Sequence, residues 1–270
     1  MVQALLLALW AGLCALDQFG PHLGFRKPLL ASLGVGLILG DMTTAVIIGA
    51  TMELMWLGVN NIGAYVPPDV ISGTIVGASL GIMSGGSVTE ATALAVAVGV
   101  PTATLVQQLN MFVMTTNVAL VHSADKAALS GNFKSISKYY WMGGFCFFLT
   151  RAIPTFIATG LGSYVIEDIM AFLQNDVPWV LSGFSTAGGM MPAVGLAMLL
   201  SLMMKKNMWI FLLIGFVLNA YLAVPTLGCA ILAAALAGFY DIVIEGQKKG
   251  SAPAVAAAAS GDDDGEEYDL

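Results

Sequence analysis

Long apolar runs broken by short polar stretches recur from Val2 to Ile244. A helix crossing a bilayer core needs about 20 such residues. On that criterion the pattern predicts an all-α polytopic membrane protein with about nine membrane segments, within a range of roughly seven to ten. Residues 2–17 form the first, and a polar turn with Gly20-Pro21-His22 and Arg26-Lys27-Pro28 follows. Leu29–Leu39 and Ala45–Val59 are each short for a span and flank Gly40-Asp41, which predicts a helical hairpin or re-entrant pair. Beyond Pro67-Pro68 come Val70–Met83 and Ala91–Val121, the second long enough to cross with a tilt or a kink at Pro101. The hydrophilic stretch His122–Lys138 predicts an aqueous amphipathic loop. Trp141–Ile166, Val177–Met204, Met208–Val224 and Thr226–Ile244 complete the set.

The bases orient these segments. Arg26/Lys27, Lys126/Lys134/Lys138, Lys205/Lys206 and Lys248/Lys249 form four clusters separated by even numbers of predicted segments. All four therefore fit on the cytoplasmic side, with the N-terminus outside and the C-terminus inside. Residues 1–245 are expected to be the membrane-embedded domain, and 246–270 a cytoplasmic Ala-rich linker and acidic disordered tail.

Composition agrees with the pattern. Hydrophobic residues are 58%, charged residues 10%, and mean hydropathy is +0.85. The formal charge of −7 mostly reflects the tail: GDDDGEEYDL at 261–270 holds six of the 17 acids, leaving 11 against 10 bases. The membrane body is near neutral and has no basic patch with interleaved aromatics, which argues against nucleic-acid binding. Cys14, Cys146 and Cys229 are isolated in apolar segments and read as small buried hydrophobes. The N-terminus lacks a basic n-region, so no cleaved signal peptide is expected.

Against this apolar background the stretch GATMELMWLGVNNIGAYVPPD, residues 49–69, concentrates polar groups. A carboxylate inside a bilayer is costly and marks a substrate or ion pathway. Irregular backbone there is tolerated only beside protein or a wet cavity. Glu53 is one polar position on an apolar cylinder, with a structural reading as partner of backbone amides. With Asn60, Asn61 and Asp69 it forms a set suited to sugar hydroxyls, because carboxylates accept while amides both donate and accept. Trp56 offers an apolar face for a ring. Asp69, directly after Pro67-Pro68, equally suits capping of the next helix. Gln107, Gln108, Asn110 and Asn117 lie within one membrane segment, where interhelical bonding is the ordinary role; Gln107 is the candidate sugar contact among them.

Other features carry less. His22 and His122 read as structural or interfacial. Gly34 and Gly36 suit close helix packing. The cluster GFSTAGGMMPAVG at 183–195 predicts a broken helix exposing amides and carbonyls to a polar ligand. No HExxH, P-loop or GxSxG occurs, so no residue is assigned a catalytic role and no cofactor or metal is expected.

Taken in order, Gly40-Asp41, the 49–69 stretch, HSADKAA at 122–128 and GFSTAGGMMPAVGLAMLL at 183–200 resemble a known family. It is the IIC membrane subunit of the mannose/fructose/sorbose/N-acetylgalactosamine class of bacterial sugar phosphotransferase systems (PTS). The resemblance covers nearly the whole hydrophobic body and leaves out the acidic tail. It implies a permease subunit (EIIC) in the bacterial inner membrane that pairs with a IID membrane subunit, in a trimer of heterodimers. It also implies a sugar carried inward by a core moving against a scaffold and phosphorylated by cytoplasmic IIB, itself charged through IIA. Glu53, Asn60, Asn61 and Asp69 fall in the family's motif region, and Gln107 in a corresponding polar position. An ion-coupled secondary sugar transporter is the alternative the carboxylates leave open. An intramembrane enzyme would want paired aspartates or a metal site, and a purely structural subunit would leave sugar binding to IID.

Overall fold

A computed structural model describes residues 1–59, 66–205 and 208–250. All regular elements among the described residues are helical: α1 Val2–Phe19, α2 Pro28–Leu39, α3 Met42–Trp56, α4 Val70–Met83, α5 Val88–Leu129, α6 Phe133–Asn175, α7 Pro178–Met203, α8 Trp209–Ala220 and α9 Thr226–Gly250. Five contain stretches long and apolar enough to cross a membrane, namely Val2–Phe19, Val88–Leu129, Phe133–Gly162, Pro178–Met203 and Thr226–Val243; α2, α3, α4 and α8 are shorter and apolar. The chain groups into two compact units, Met1–Met203 and Met204–Leu270. The boundary expected at 245/246 falls within α9, and the expected tail at 251–270 lies outside the described residues.

Local chemistry sets the helix ends. Pro28 opens α2, where its missing N–H costs nothing, and Gly40 closes it at φ 85°, a left-handed conformation that glycine adopts without strain. Asp41 then caps α3 by accepting from Thr44 N at 3.1 Å, so Gly40-Asp41 forms the expected hairpin turn. Ser87 and Glu90 form a reciprocal capping box at the start of α5. Asp17, buried at the end of α1, accepts from the amides of Leu23, Gly24 and Phe25 and folds the polar turn back on itself.

Two expectations are corrected. His122–Lys138 is not a loop: α5 runs to Leu129, and only residues 130–132 turn before α6 begins. The Ala-rich sequence through Ala124, Ala127 and Ala128 favours helix whether or not lipid surrounds it. Gly131 at φ 69° and Asn132, which accepts from Ser135 N, then make the reversal. The Gly183–Gly195 cluster is not a break either, since α7 runs continuously through Pro192. A proline removes one backbone bond and bends a helix without necessarily ending it.

The first unit is built around α4, in which every residue from Ile71 to Gly81 is buried. Gly73, Gly77 and Gly81 recur every four residues and lie against α5. A Cβ on Gly73 would come within 2.6 Å of Gly99 O, and one on Gly81 within 2.5 Å of Ala91 O. Backbones this close exchange side-chain bulk for contact area, the usual basis of helix association in lipid. Gly36 abuts Ala45 across the α2–α3 hairpin, while Gly34 lies under the Trp10 ring. Trp10 Nε1 in turn donates to Ala31 O at 2.8 Å, tying α1 to α2. The α1–α6 contact has Gly12 against Phe148 and Phe19 stacked on Phe147. In the second unit α8 packs on α9, and α8 buries none of its residues.

Candidate functional site

Glu53 lies one turn before the end of α3, half-buried, and its Oε2 accepts from Leu29 N at 3.0 Å. Leu29 is in the first turn of α2, whose preceding residue Lys27 supplies no side-chain cap. The carboxylate thus caps a neighbouring helix, at the end where the helix dipole favours negative charge. This is the backbone-amide role open to it from sequence. Its Oε1 makes no hydrogen bond among the described residues. Trp56, one turn on, packs against the core cluster, and its buried Nε1 also has no partner among the described residues.

Asn60 and Asn61 lie outside the described residues. Residues 66–69, which follow them in sequence, are moored to α5 at two points. Gln107 Nε2 donates to Val66 O in a short hydrogen bond, and Asp69 N donates to Ala103 O at 3.0 Å. Gly99, Ala103 and Gln107 recur every four residues and so share one face of α5. Gly99 faces Met52, the neighbour of Glu53, and Gly73 of α4. One face of α5 therefore runs past the residue beside Glu53, the start of α4 and the end of the connecting segment.

Asp69 makes no side-chain cap to α4. Arg151 of α6 donates instead from Nε to Oδ1 and Oδ2 at 3.0 and 2.9 Å, and from Nη2 to Oδ1 at 2.9 Å. Ser72 Oγ donates to Oδ2 at 2.5 Å, so four hydrogen bonds converge on a carboxylate with about four lone-pair sites. Arg151 Nη2 also donates to Gln18 Oε1 at 2.7 Å, and the guanidinium carbon lies 5.7 Å from the Phe19 ring centroid. Asp69 is 5% exposed and Arg151 1%, which makes this a dry ion pair. Nη1 is buried without a partner among the described residues.

Sequence reasoning passes over Arg151, although a signal exists. It is the one base of ten outside the four clusters, set inside an apolar run. The other amides of α5 divide: Gln108 is exposed, Asn110 is buried with Oδ1 unpaired among the described residues, and Asn117 abuts Gly143 of α6. His122 is exposed and lies 4.0 Å from Asp125 on its own helix. Of the 183–195 glycines, Gly195 packs directly on the carbonyls of Leu54 and Met55, whereas Gly183 and Gly189 face open space.

Comparison with known proteins agrees on one family. The profile described as PTS system sorbose-specific IIC component matches residues 1–239. The mannose-specific EIIC component of Escherichia coli K12 is 38% identical over 208 residues, covering 76% of this chain and 74% of that protein. The fructose permease IIC component of Bacillus subtilis 168 is 33% identical over 260 residues, covering 96% and 92%. A solved structure described as a membrane protein matches with a TM-score of 0.77 at 32% identity, over 89% of this chain and 95% of that one. A chain from the mannose transporter ManYZ in complex with microcin E492 matches with a TM-score of 0.54 at 31% identity, over 88% and 94%. With the matched profile spanning nearly all of the helical body, the chain belongs to the sorbose-specific IIC family of the sugar phosphotransferase system.

Proposed function

We propose that this chain binds and translocates a hexose or amino sugar as the IIC subunit of a phosphoenolpyruvate-dependent phosphotransferase system. The observation that carries the reading is Glu53: a carboxylate in an apolar helical body with one oxygen engaged and the other without a partner among the described residues. It stands in the first half of the polar 49–69 segment, whose far end closes at Asp69 and is bonded by Gln107 through Val66 O. Glu53, Asn60, Asn61 and Gln107 are assigned to sugar binding by their chemistry, with Trp56 Nε1 as a further donor. Asp69 closes the set at its far end, its carboxylate already filled by Arg151 and Ser72.

The chain works in the bacterial inner membrane beside a IID subunit, in a trimer of heterodimers, with cytoplasmic IIA and IIB supplying the phosphoryl group. The α2–α3 hairpin is re-entrant, the remaining helices complete about nine membrane segments, and the tail at 246–270 is cytoplasmic.

The test is uptake of labelled mannose, fructose, sorbose, glucosamine and N-acetylgalactosamine into vesicles holding this chain with a IID partner. Each sugar is run with and without phosphoenolpyruvate and the soluble phosphotransfer proteins. Accumulation as sugar phosphate, only with the full relay, is the expected result. Free sugar accumulated by this chain alone on an ion gradient would establish a secondary transporter instead.

A further inference from the structure

The Asp69–Arg151 pair supports an inference that rests on the sugar-site reading above. Stability alone does not account for two charges buried to this degree, because apolar residues of similar volume often replace a buried ion pair without loss. A guanidinium–carboxylate pair supplies what an apolar pair lacks, a fixed direction. Arg151 Nε reaches both oxygens of Asp69, and Nη2 is shared between Oδ1 and Gln18 Oε1. The orientation of the carboxylate is thus set from α6 and α1 together.

The same short stretch is held independently from α5, through Ala103 O to Asp69 N and through Gln107 Nε2 to Val66 O. Between those points lie Pro67 and Pro68, whose rings restrict φ. Residues 66–69 therefore form a stem with bonds to three helices, at the C-terminal end of the segment that bears Asn60 and Asn61. Without the Arg151 fork the stem loses its anchor on α6 and is held from α4 and α5 alone. Gln107, the candidate sugar contact, is bonded to that stem through Val66 O and shifts with it. A sugar site tolerates little such displacement, since hydroxyl recognition depends on placed donors and acceptors.

We infer that Arg151 is a positioning residue for sugar binding: with Gln18 it orients Asp69, and through Asp69 it holds the 66–69 stem in register, without touching the sugar. Its role is separable from folding, because the charges can be removed together.

The test uses this chain with its membrane partner in lipid vesicles. The probe is the sugar of the five above that the complex phosphorylates fastest; if none is phosphorylated, the sugar-site reading falls and this inference with it. The double variant Arg151→Met/Asp69→Leu leaves no unpaired buried charge. It is expected to assemble in wild-type amounts while KM rises about tenfold or more and kcat stays within about threefold. Arg151→Lys keeps the charge but loses the fork, so it falls between wild type and the double variant. A double variant that assembles with wild-type KM overturns the inference. Glu53→Gln, run beside it, separates the two claims: raised KM there with an unchanged double variant sinks only the positioning role, whereas no effect in either sinks the site itself. If the double variant does not assemble, Gln18→Leu decides. That change leaves the ion pair intact and removes only its orienting bond, and an unchanged KM would overturn the inference.

Discussion

Arg151 and Asp69 meet across 82 positions of sequence in a buried ion pair of three charge-assisted hydrogen bonds, joining the middle of α6 to the first residue before α4. The pair sits where α1, α4, α5 and α6 converge, and it ends the segment that begins just after Glu53. Asp69, Arg151, Gln18, Ser72, Gln107 and Val66 thus belong to one connected arrangement at the end of that segment.

Replacing Arg151 alone strands a carboxylate in a dry site. Arg151→Met is expected to destabilise the assembled protein by about 3–5 kcal/mol. The check is the thermal midpoint and yield of the purified complex, both of which Arg151→Met/Asp69→Leu is expected to recover largely.

Glu53→Gln keeps the shape of the side chain and removes its charge. Loss of a charge-assisted bond to a sugar hydroxyl, of about 1.5–3 kcal/mol, predicts a fall in kcat/KM of roughly 10- to 100-fold. Phosphoenolpyruvate-dependent uptake measures it. Uptake equal to wild type would mean that Glu53 serves only to cap α2.

Gly77 has no room for a side chain, because a Cβ there would collide with Ala95 O of α5. Gly77→Leu is expected to cost more than the usual ~1–3 kcal/mol of overpacking, since backbone and not a side-chain tip must yield. Gly183→Ala, where nothing lies within 4 Å, should be neutral or slightly stabilising. Detergent-solubilised yield and melting of the two variants provide the contrast.

Ser87 acts locally. Ser87→Ala removes one half of the capping box and is expected to cost about 1 kcal/mol, with kcat/KM for sugar unchanged. Melting and uptake measured on the same preparation test both statements.

Much of the helical plan is legible along the chain. The apolar runs mark the helices, and Gly40-Asp41 marks the α2–α3 turn because a left-handed glycine followed by a capping aspartate is a local instruction. The packing read at Gly34 and Gly36 is local in the same sense, since small residues in apolar helices draw neighbours close. Legibility fails where a residue's local meaning is ambiguous. The polar stretch His122–Lys138 looks like a loop because hydropathy reports solvent and not backbone shape, yet its alanines carry α5 on to the turn at 130–132 and α6 begins at Phe133. The glycines of 183–195 look like a break, yet Gly195 is there to admit the carbonyls of α3.

Family, membrane character and the polar 49–69 segment were determined by the sequence itself, because hydropathy, turn chemistry and motif order are properties of neighbouring residues. The occupation of Asp69 by Arg151, the use of Glu53 as a cap for α2 and the seating of Val66 and Asp69 on one face of α5 were decided only by tertiary structure. Each depends on which helix packs against which. A hydrogen bond acts over about 3 Å, and no local pattern states which distant residues the fold will bring within that reach.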